Sequence, residues 1–545
     1  MRYLHLENTA DILREVAAAI RAPDLDRAIR LAETALAEGR EHALLLNLRA
    51  YRLERDGLYL DALGDLKHAR ALSPRDVPTL NALGLCLAHL DRTAEAVEAF
   101  EAAVAVDPDF APAHFNRGWA SETLGDLDQA RSSLERAQAL NPNDPAPLAH
   151  LAALAARRAD WTGARALGEQ SLARDPNQPT AGLAMASAEL AEKSLEAAEP
   201  RLRGLLAREN LSPIDRALAH GLLGDVLDAG GRPAEAFAEF AAANGALKRL
   251  YADRFGAPGV ESAAGTLAWL IAYFEKAPQR AQPRPPLPRP SPAAGHVFLV
   301  GFPRSGTTLL ERVLAAHPDV VAWDERETLT EAVRDFMGKA AGLDRLAAAD
   351  EDRLADYRAD YWRRVAETGA KVGGKVALDK LPLNTMKLPL IARLFPEAKI
   401  LFALRDPRDV VLSCFRQRFR MNSSMYEFLT LDGAARFYDG VMRLADLYRA
   451  KLSLDLHTHR YEDLVEDFDG QTRTICDFIG LPWRAEMRDF AATLDDRSTA
   501  TPSSTQVARG LYREGVGQWR RYRDQLAPVL PVLAPWAATY GYPAD

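Results

Sequence analysis

Small and large apolar residues recur along the first half of the chain with a period of 34 residues. The blocks 77–110, 111–144 and 145–178 follow one another without a gap. In the first, Gly84, Ala96, Phe100, Ala103 and Pro108 occupy positions 8, 20, 24, 27 and 32. Gly118, Ala130, Leu134, Ala137 and Pro142 repeat that set in the second. The third keeps Ala164 and Pro176 but carries Ala152 at position 8 and Gly168 at position 24. Blocks beginning at Thr9 and Ala43 retain paired alanines, and 217–250 recovers Gly224, Ala236, Phe240 and Ala243. Small residues at positions 8, 20 and 27 let two antiparallel helices approach closely, while position 24 fills the gap with bulk. Proline at position 32 stops the second helix. About seven such pairs fit between Thr9 and Leu250, with an irregular pair expected over 179–216.

Residues 277–295 hold seven prolines in nineteen positions, a composition that excludes helix and central strand and predicts an extended spacer. Beyond it, short apolar runs alternate with helical patterns, as a mostly parallel sheet requires. Strands are expected at 296–300, 320–322, 376–378, 400–404 and 454–459, with a helix over 307–316. In such sheets ligands lie beyond the carboxyl ends of the strands. The residues found there are polar: 304–308, 324–327, 379–380, 405–408 and 461–462.

The turn after the first strand reads VGFPRSGTTLLE. Its Gly301–Gly306 spacing is that of a triphosphate-binding loop, whose backbone N–H groups and helix N-terminus converge on an anion. Thr307 stands where that loop requires lysine, and Arg304 lies inside the turn.

Composition narrows the picture. A net charge of −8 gives no global reason to expect nucleic-acid binding. Cys86, Cys414 and Cys476 are far apart and lack metal-ligand spacing, so neither a metal site nor a disulfide framework is expected. The N-terminus has no apolar signal core, and no apolar run is long enough to span a membrane. A cytoplasmic location is expected.

The repeated half resembles the tetratricopeptide repeat, whose concave faces commonly bind peptides or proteins. In the second half, PRSGTT at 303–308, HPDV at 317–320, DKLPLN at 379–384, RDPRDVVLS at 405–413, YEDLV at 461–465 and PW at 482–483 resemble the 3′-phosphoadenosine 5′-phosphosulfate (PAPS)-dependent sulfotransferases. The tetratricopeptide-linked bacterial group and the protein-tyrosine sulfotransferases are the nearest match. The resemblance implies a tetratricopeptide α-solenoid over 1–276, a proline-rich linker over 277–295, and a P-loop-like α/β sulfotransferase domain with a parallel sheet over 296–545.

It also implies site roles. Arg304, Ser305, Gly306, Thr307 and Thr308 would hold the 5′-phosphosulfate, and Arg405 and Ser413 the 3′-phosphate. Arg509 would reach back to the 3′-phosphate, with Trp519 anchoring that closing segment. Tyr461 would lie near the adenine or in the core. Lys380 would face the same crevice and neutralise charge on the leaving group, and Arg408 would serve as a salt-bridge residue or gate. Glu325 would be the general base, with Asp324 and Glu327 as rivals. Trp323 and Glu327 depart from the glycine and arginine of the tyrosine-sulfotransferase pattern, which weakens the case for an acidic peptide. The acceptor hydroxyl stays open between protein tyrosine, glycan, lipid and small molecule. Two rivals remain: a nucleotide kinase, which the absent lysine disfavours, and a repeat-based adaptor with an inactive nucleotide-binding domain. The run Arg416, Arg418, Arg420 reads as a solvated helix face, and the insertion 328–371 as a wall of the acceptor pocket.

Overall fold

The computed structural model describes residues 2–278, 291–323, 325–491 and 515–544, with side chains from residue 10 onward. Most of the proline-rich spacer, Asp324 and Arg509 lie outside the described residues. The chain divides into two compact units, Met1–Glu192 and Lys193–Asp545.

The first unit is built from helix pairs such as Val77–His89 with Thr93–Val106 and Ala111–Leu124 with Leu127–Leu140. Asp76 caps the first of these through the Thr79 N–H, and Pro78 occupies its opening turn, where no donor is needed. The repeat positions do what their sizes suggest. A Cβ placed on Gly84 would meet the Phe100 ring at 2.4 Å, and one on Gly118 would meet Leu134 at 2.7 Å. In the degenerate third block the gap is filled from outside the block. Gly168 lies under Met185, whose Cγ would be 2.8 Å from an added Cβ. Phe100 is fully buried and has nowhere to retreat. Gly84→Val is therefore expected to lower stability by about 1–3 kcal/mol, read as a drop in the urea midpoint. An unchanged midpoint would mean the helices do not meet there.

The second unit opens with the helices Leu195–Leu206, Pro213–Ala229, Pro233–Leu250 and Ala263–Lys276. The segment 179–216 holds the helices Pro179–Ala191 and Leu195–Leu206, the second with Pro200 inside it, and a long connection, in keeping with the irregular pair expected there. Five strands follow: β1 (Gly295–Gly301), β2 (Val320–Ala322), β3 (Val376–Lys380), β4 (Lys399–Leu404) and β5 (Asp455–Arg460). They form one all-parallel sheet in the order β2-β3-β1-β4-β5. The central strands are buried along nearly their whole length, which is why they read as apolar runs. Every carboxyl end opens on one edge, so the loops after all five strands meet there.

The division between units falls upstream of the proline-rich spacer for a packing reason. Helix Ala263–Lys276 lies against helix Leu431–Lys451 on the sheet side. A Cβ on Gly440 would meet Leu267 at 2.5 Å, and the Phe274 and Tyr448 rings pack edge to face at 4.8 Å. Arg416 and Arg418 also differ from the solvated face expected of them. Arg416 pairs with Asp228 at 2.7 Å and Arg418 with Asp225 at 2.8 Å, both acids on helix Pro213–Ala229. Asn244 adds a hydrogen bond to the Phe415 carbonyl at 2.8 Å.

Candidate functional site

The turn after β1 is held in an unusual backbone shape. Gly306 has φ +92° and Arg304 φ +70°, the latter a strained position for a residue with a Cβ. A Cβ on Gly306 would meet Tyr461 at 2.6 Å, so only glycine lets the turn close over that ring. Gly306 begins helix Thr307–Ala315 without a side-chain cap, leaving the first N–H groups of that helix turned toward the loop. Thr385, in the segment after β3, braces the turn by accepting from the Gly301 N–H at 3.0 Å.

Two arginines meet beneath this turn. Arg304 Nε donates to Ser413 Oγ at 2.9 Å, and Arg405 donates to the Arg304 carbonyl at 3.0 Å. Arg405 also donates to the Gly515 carbonyl and lies over the Tyr461 ring, 5.1 Å from its centroid. Burial first, and the Arg405 charge second, pull the Arg304 guanidinium down to about 10. Among the described residues Ser305 Oγ and Arg405 Nε are buried without a hydrogen-bond partner. Crowded positive charge, spare polar atoms and an uncapped helix start suit a group carrying several negative charges.

Ser413 is positioned by helix Pro407–Arg416, which starts at the end of β4. Asp406 caps it through the Arg408 N–H and forms an ion pair with the Arg408 guanidinium at 2.7 Å. Arg408 stacks on Trp519 at 3.9 Å and donates to the carbonyls of Pro543 and Ala544, so it clamps the C-terminal segment. Asp409 accepts from the N–H groups of Gly517 and Trp519 at 2.7 and 2.8 Å. His317 is a turn residue: it accepts from the Asp319 N–H at 3.1 Å, and its other ring nitrogen donates to the Pro482 carbonyl at 2.9 Å.

A second cluster lies at the end of β3. Lys380 Nζ is 2.5 Å from Glu325 and 3.1 Å from Glu311, with its own side chain fully covered. Burial alone would lower the lysine, but the Glu311 and Glu325 charges outweigh it and leave it raised. Burial likewise raises Glu311 against the pull of Lys380. Sequence reasoning missed Glu311. It sits on the same helix face as Thr307, four residues on, and that spacing was the available signal.

A cavity of about 730 Å³ joins these parts. Arg304, Gly306, Thr307, Thr308, Glu325, Arg405, Ser413 and Tyr461 all line it. Ser305 and Lys380 do not: Ser305 is buried within the turn, and Lys380 is covered by its two carboxylates. The expectation that Lys380 faces the crevice is corrected to that extent. Glu327, a rival base, is mostly exposed and paired with Lys387.

Tyr361, on the insertion's helix Glu351–Glu367, is buried in the core. Its hydroxyl donates to Asp379 at 2.9 Å and takes a hydrogen bond from His296 at 2.8 Å. Thr328 donates to the same carboxylate oxygen at 2.9 Å, which pins the loop that carries Glu325. Burial lifts Asp379 to about 6, against the pull of those two hydroxyls. A carboxyl raised above its unfolded value of about 3.9 favours the folded state when protonated. Its contribution is therefore full below about pH 4 and is lost as pH rises through 6, in total roughly 3 kcal/mol. Asp379→Asn should flatten that part of the stability–pH curve in chemical denaturation. An unchanged slope between pH 4 and 6 would contradict the assignment.

Residues 296–485 match the model of the sulfotransferase family, and residues 81–145 and 115–179 match the tetratricopeptide repeat. One chain thus joins a segment similar to the tetratricopeptide repeat to a later segment similar to the sulfotransferases. It is 28% identical over 254 residues to an uncharacterized protein of Aquifex aeolicus, covering 45% of this chain and 33% of that one. It thus spans about a third of that relative's length. Protein-tyrosine sulfotransferase 1 of Danio rerio is 25% identical over 264 residues, or 45% of this chain and 72% of the relative. The sulfotransferase domain of the Synechococcus PCC 7002 olefin synthase aligns with 43% of this chain and 90% of its own, at 23% identity and a TM-score of 0.32. No helix among the described residues is long and apolar enough to cross a membrane.

Proposed function

We propose that the protein transfers a sulfuryl group from PAPS to an acceptor hydroxyl. The observation that carries this reading is the hydrogen-bonded assembly of buried Arg405 with half-buried Arg304 and Ser413, lining one cavity with Glu325. The Gly306 turn, Thr307 and Thr308 would hold the 5′-phosphosulfate, and Arg405 with Ser413 the 3′-phosphate. Tyr461, its ring under Arg405, would border the adenine. When bound, the donor supplies an activated sulfur–oxygen bond to phosphate.

Glu325 would take the acceptor proton as the acceptor oxygen bonds to sulfur, and the leaving phosphate keeps the electron pair of the broken bond. Arg304 and Lys380 would oppose the charge that builds on that oxygen. Glu325 and Lys380 share a short ion pair here, and Lys380 would meet the leaving oxygen only as Glu325 turns from it to the acceptor. Glu311 keeps Lys380 charged when Glu325 turns to the acceptor. The reading calls for no metal ion, and the repeats would offer a protein-binding face.

Incubation with sulfur-35-labelled PAPS and a cell extract tests the reading. Label should enter an acceptor, and chelation with EDTA should leave the rate unchanged. Transfer from labelled ATP with magnesium, and none from PAPS, would overturn it in favour of a kinase. Transfer from neither would favour the adaptor.

A further inference from the structure

We infer that the acceptor is an uncharged hydroxyl compound on an apolar scaffold; this rests on the sulfuryl-transfer reading above. Away from the phosphate-type turn, the cavity wall past Glu325 is formed by Leu270, Val333, Met337, Leu383, Met386 and Met425. Three methionines make this wall soft and able to fit flat or flexible apolar shapes. Leu270 belongs to helix Ala263–Lys276, so part of the wall comes from the segment ahead of the proline-rich spacer.

Among the described residues, the charged groups on this wall already have partners. Glu327 pairs with Lys387, and Arg334 with Asp335 at 3.0 Å. Glu261 accepts from the Thr266 hydroxyl at 3.2 Å. The two ion pairs cancel, and Glu325 is paired with Lys380, so among the described residues no cation on this wall stands ready for an anion. An acidic acceptor would have to displace Lys387 or Arg334 from its carboxylate while approaching Glu261. A neutral hydroxyl on an apolar body meets neither cost, because ligand pockets of this kind bind through apolar lining with a few placed polar groups. Here the placed group is Glu325, which also receives the proton.

The test uses the full chain with PAPS and two probes, 2-naphthol and a tyrosine peptide flanked by aspartates. Formation of adenosine 3′,5′-bisphosphate is followed for each. In parallel, 2-naphthol fluorescence is titrated against protein saturated with adenosine 3′,5′-bisphosphate. The expected result is saturable naphthol binding and a kcat/KM at least tenfold above that of the peptide. Val333→Asp and Met425→Glu, both at partly exposed positions, should each raise the naphthol KM at least tenfold. Neither should change the melting shift produced by adenosine 3′,5′-bisphosphate alone. Preference for the acidic peptide, with that shift intact, overturns this inference and leaves the sulfuryl-transfer reading standing. So does a naphthol KM unmoved in both variants. Absence of any melting shift by adenosine 3′,5′-bisphosphate in the unmodified protein overturns both.

Discussion

Arg405→Ala is expected to weaken binding of adenosine 3′,5′-bisphosphate by a hundred- to a thousand-fold, about 3–4 kcal/mol, in a calorimetric titration. The magnitude is that of removing one partner from a buried, hydrogen-bonded charge pair. Arg405 is buried, borders the cavity and is locked by the carbonyls of Arg304 and Gly515 and by the Tyr461 ring. A side chain so constrained has little entropy left to lose on meeting a phosphate. Arg405→Lys retains the charge but loses the planar fork, and should recover only part of the affinity. Arg405→Ala should also relieve the crowding on Arg304, whose guanidinium is held down partly by its neighbour's charge. A loss below about threefold would mean that Arg405 holds the fold and not the ligand.

The second large effect is on turnover. Glu325→Gln should lower kcat by about 10²–10⁴-fold, the usual contribution of a positioned general base. Binding of adenosine 3′,5′-bisphosphate should stay nearly unchanged, because the amide oxygen of glutamine can still accept from Lys380. Glu311 also remains to neutralise that lysine. Removing Glu311 instead leaves Lys380 tied to Glu325 alone. Glu311→Gln should therefore slow turnover less than Glu325→Gln does, and through position, not through proton transfer. Wild-type kcat in the Glu325 variant would show that another group takes the proton.

Much of this arrangement is legible in the residues themselves. Parallel strands buried on both faces must read as short apolar runs, and the polar residues just past them mark the shared edge. The repeats were legible because close helix approach demands a small residue opposite a large one, as at Gly84 and Phe100. What stayed hidden depends on partners distant in sequence. Glu311 looks like an ordinary helix acid until β3 brings Lys380 beside it. Arg416 looks solvated until Asp228, 188 residues earlier, meets it. Nothing local shows that His296 and Asp379 claim the Tyr361 hydroxyl. The packing of Leu267 on Gly440, on either side of the proline-rich spacer, was hidden for the same reason.

The central claim is that the turn at 301–308 and the Arg405–Ser413 pair together receive a nucleotide with a 3′-phosphate. Calorimetric titration of the full chain with adenosine 3′,5′-bisphosphate and with adenosine 5′-monophosphate measures what that phosphate adds. The account predicts at least hundred-fold tighter binding of the bisphosphate, about 2.7 kcal/mol, and collapse of the difference in Arg405→Ala. Equal affinity for the two nucleotides would contradict it.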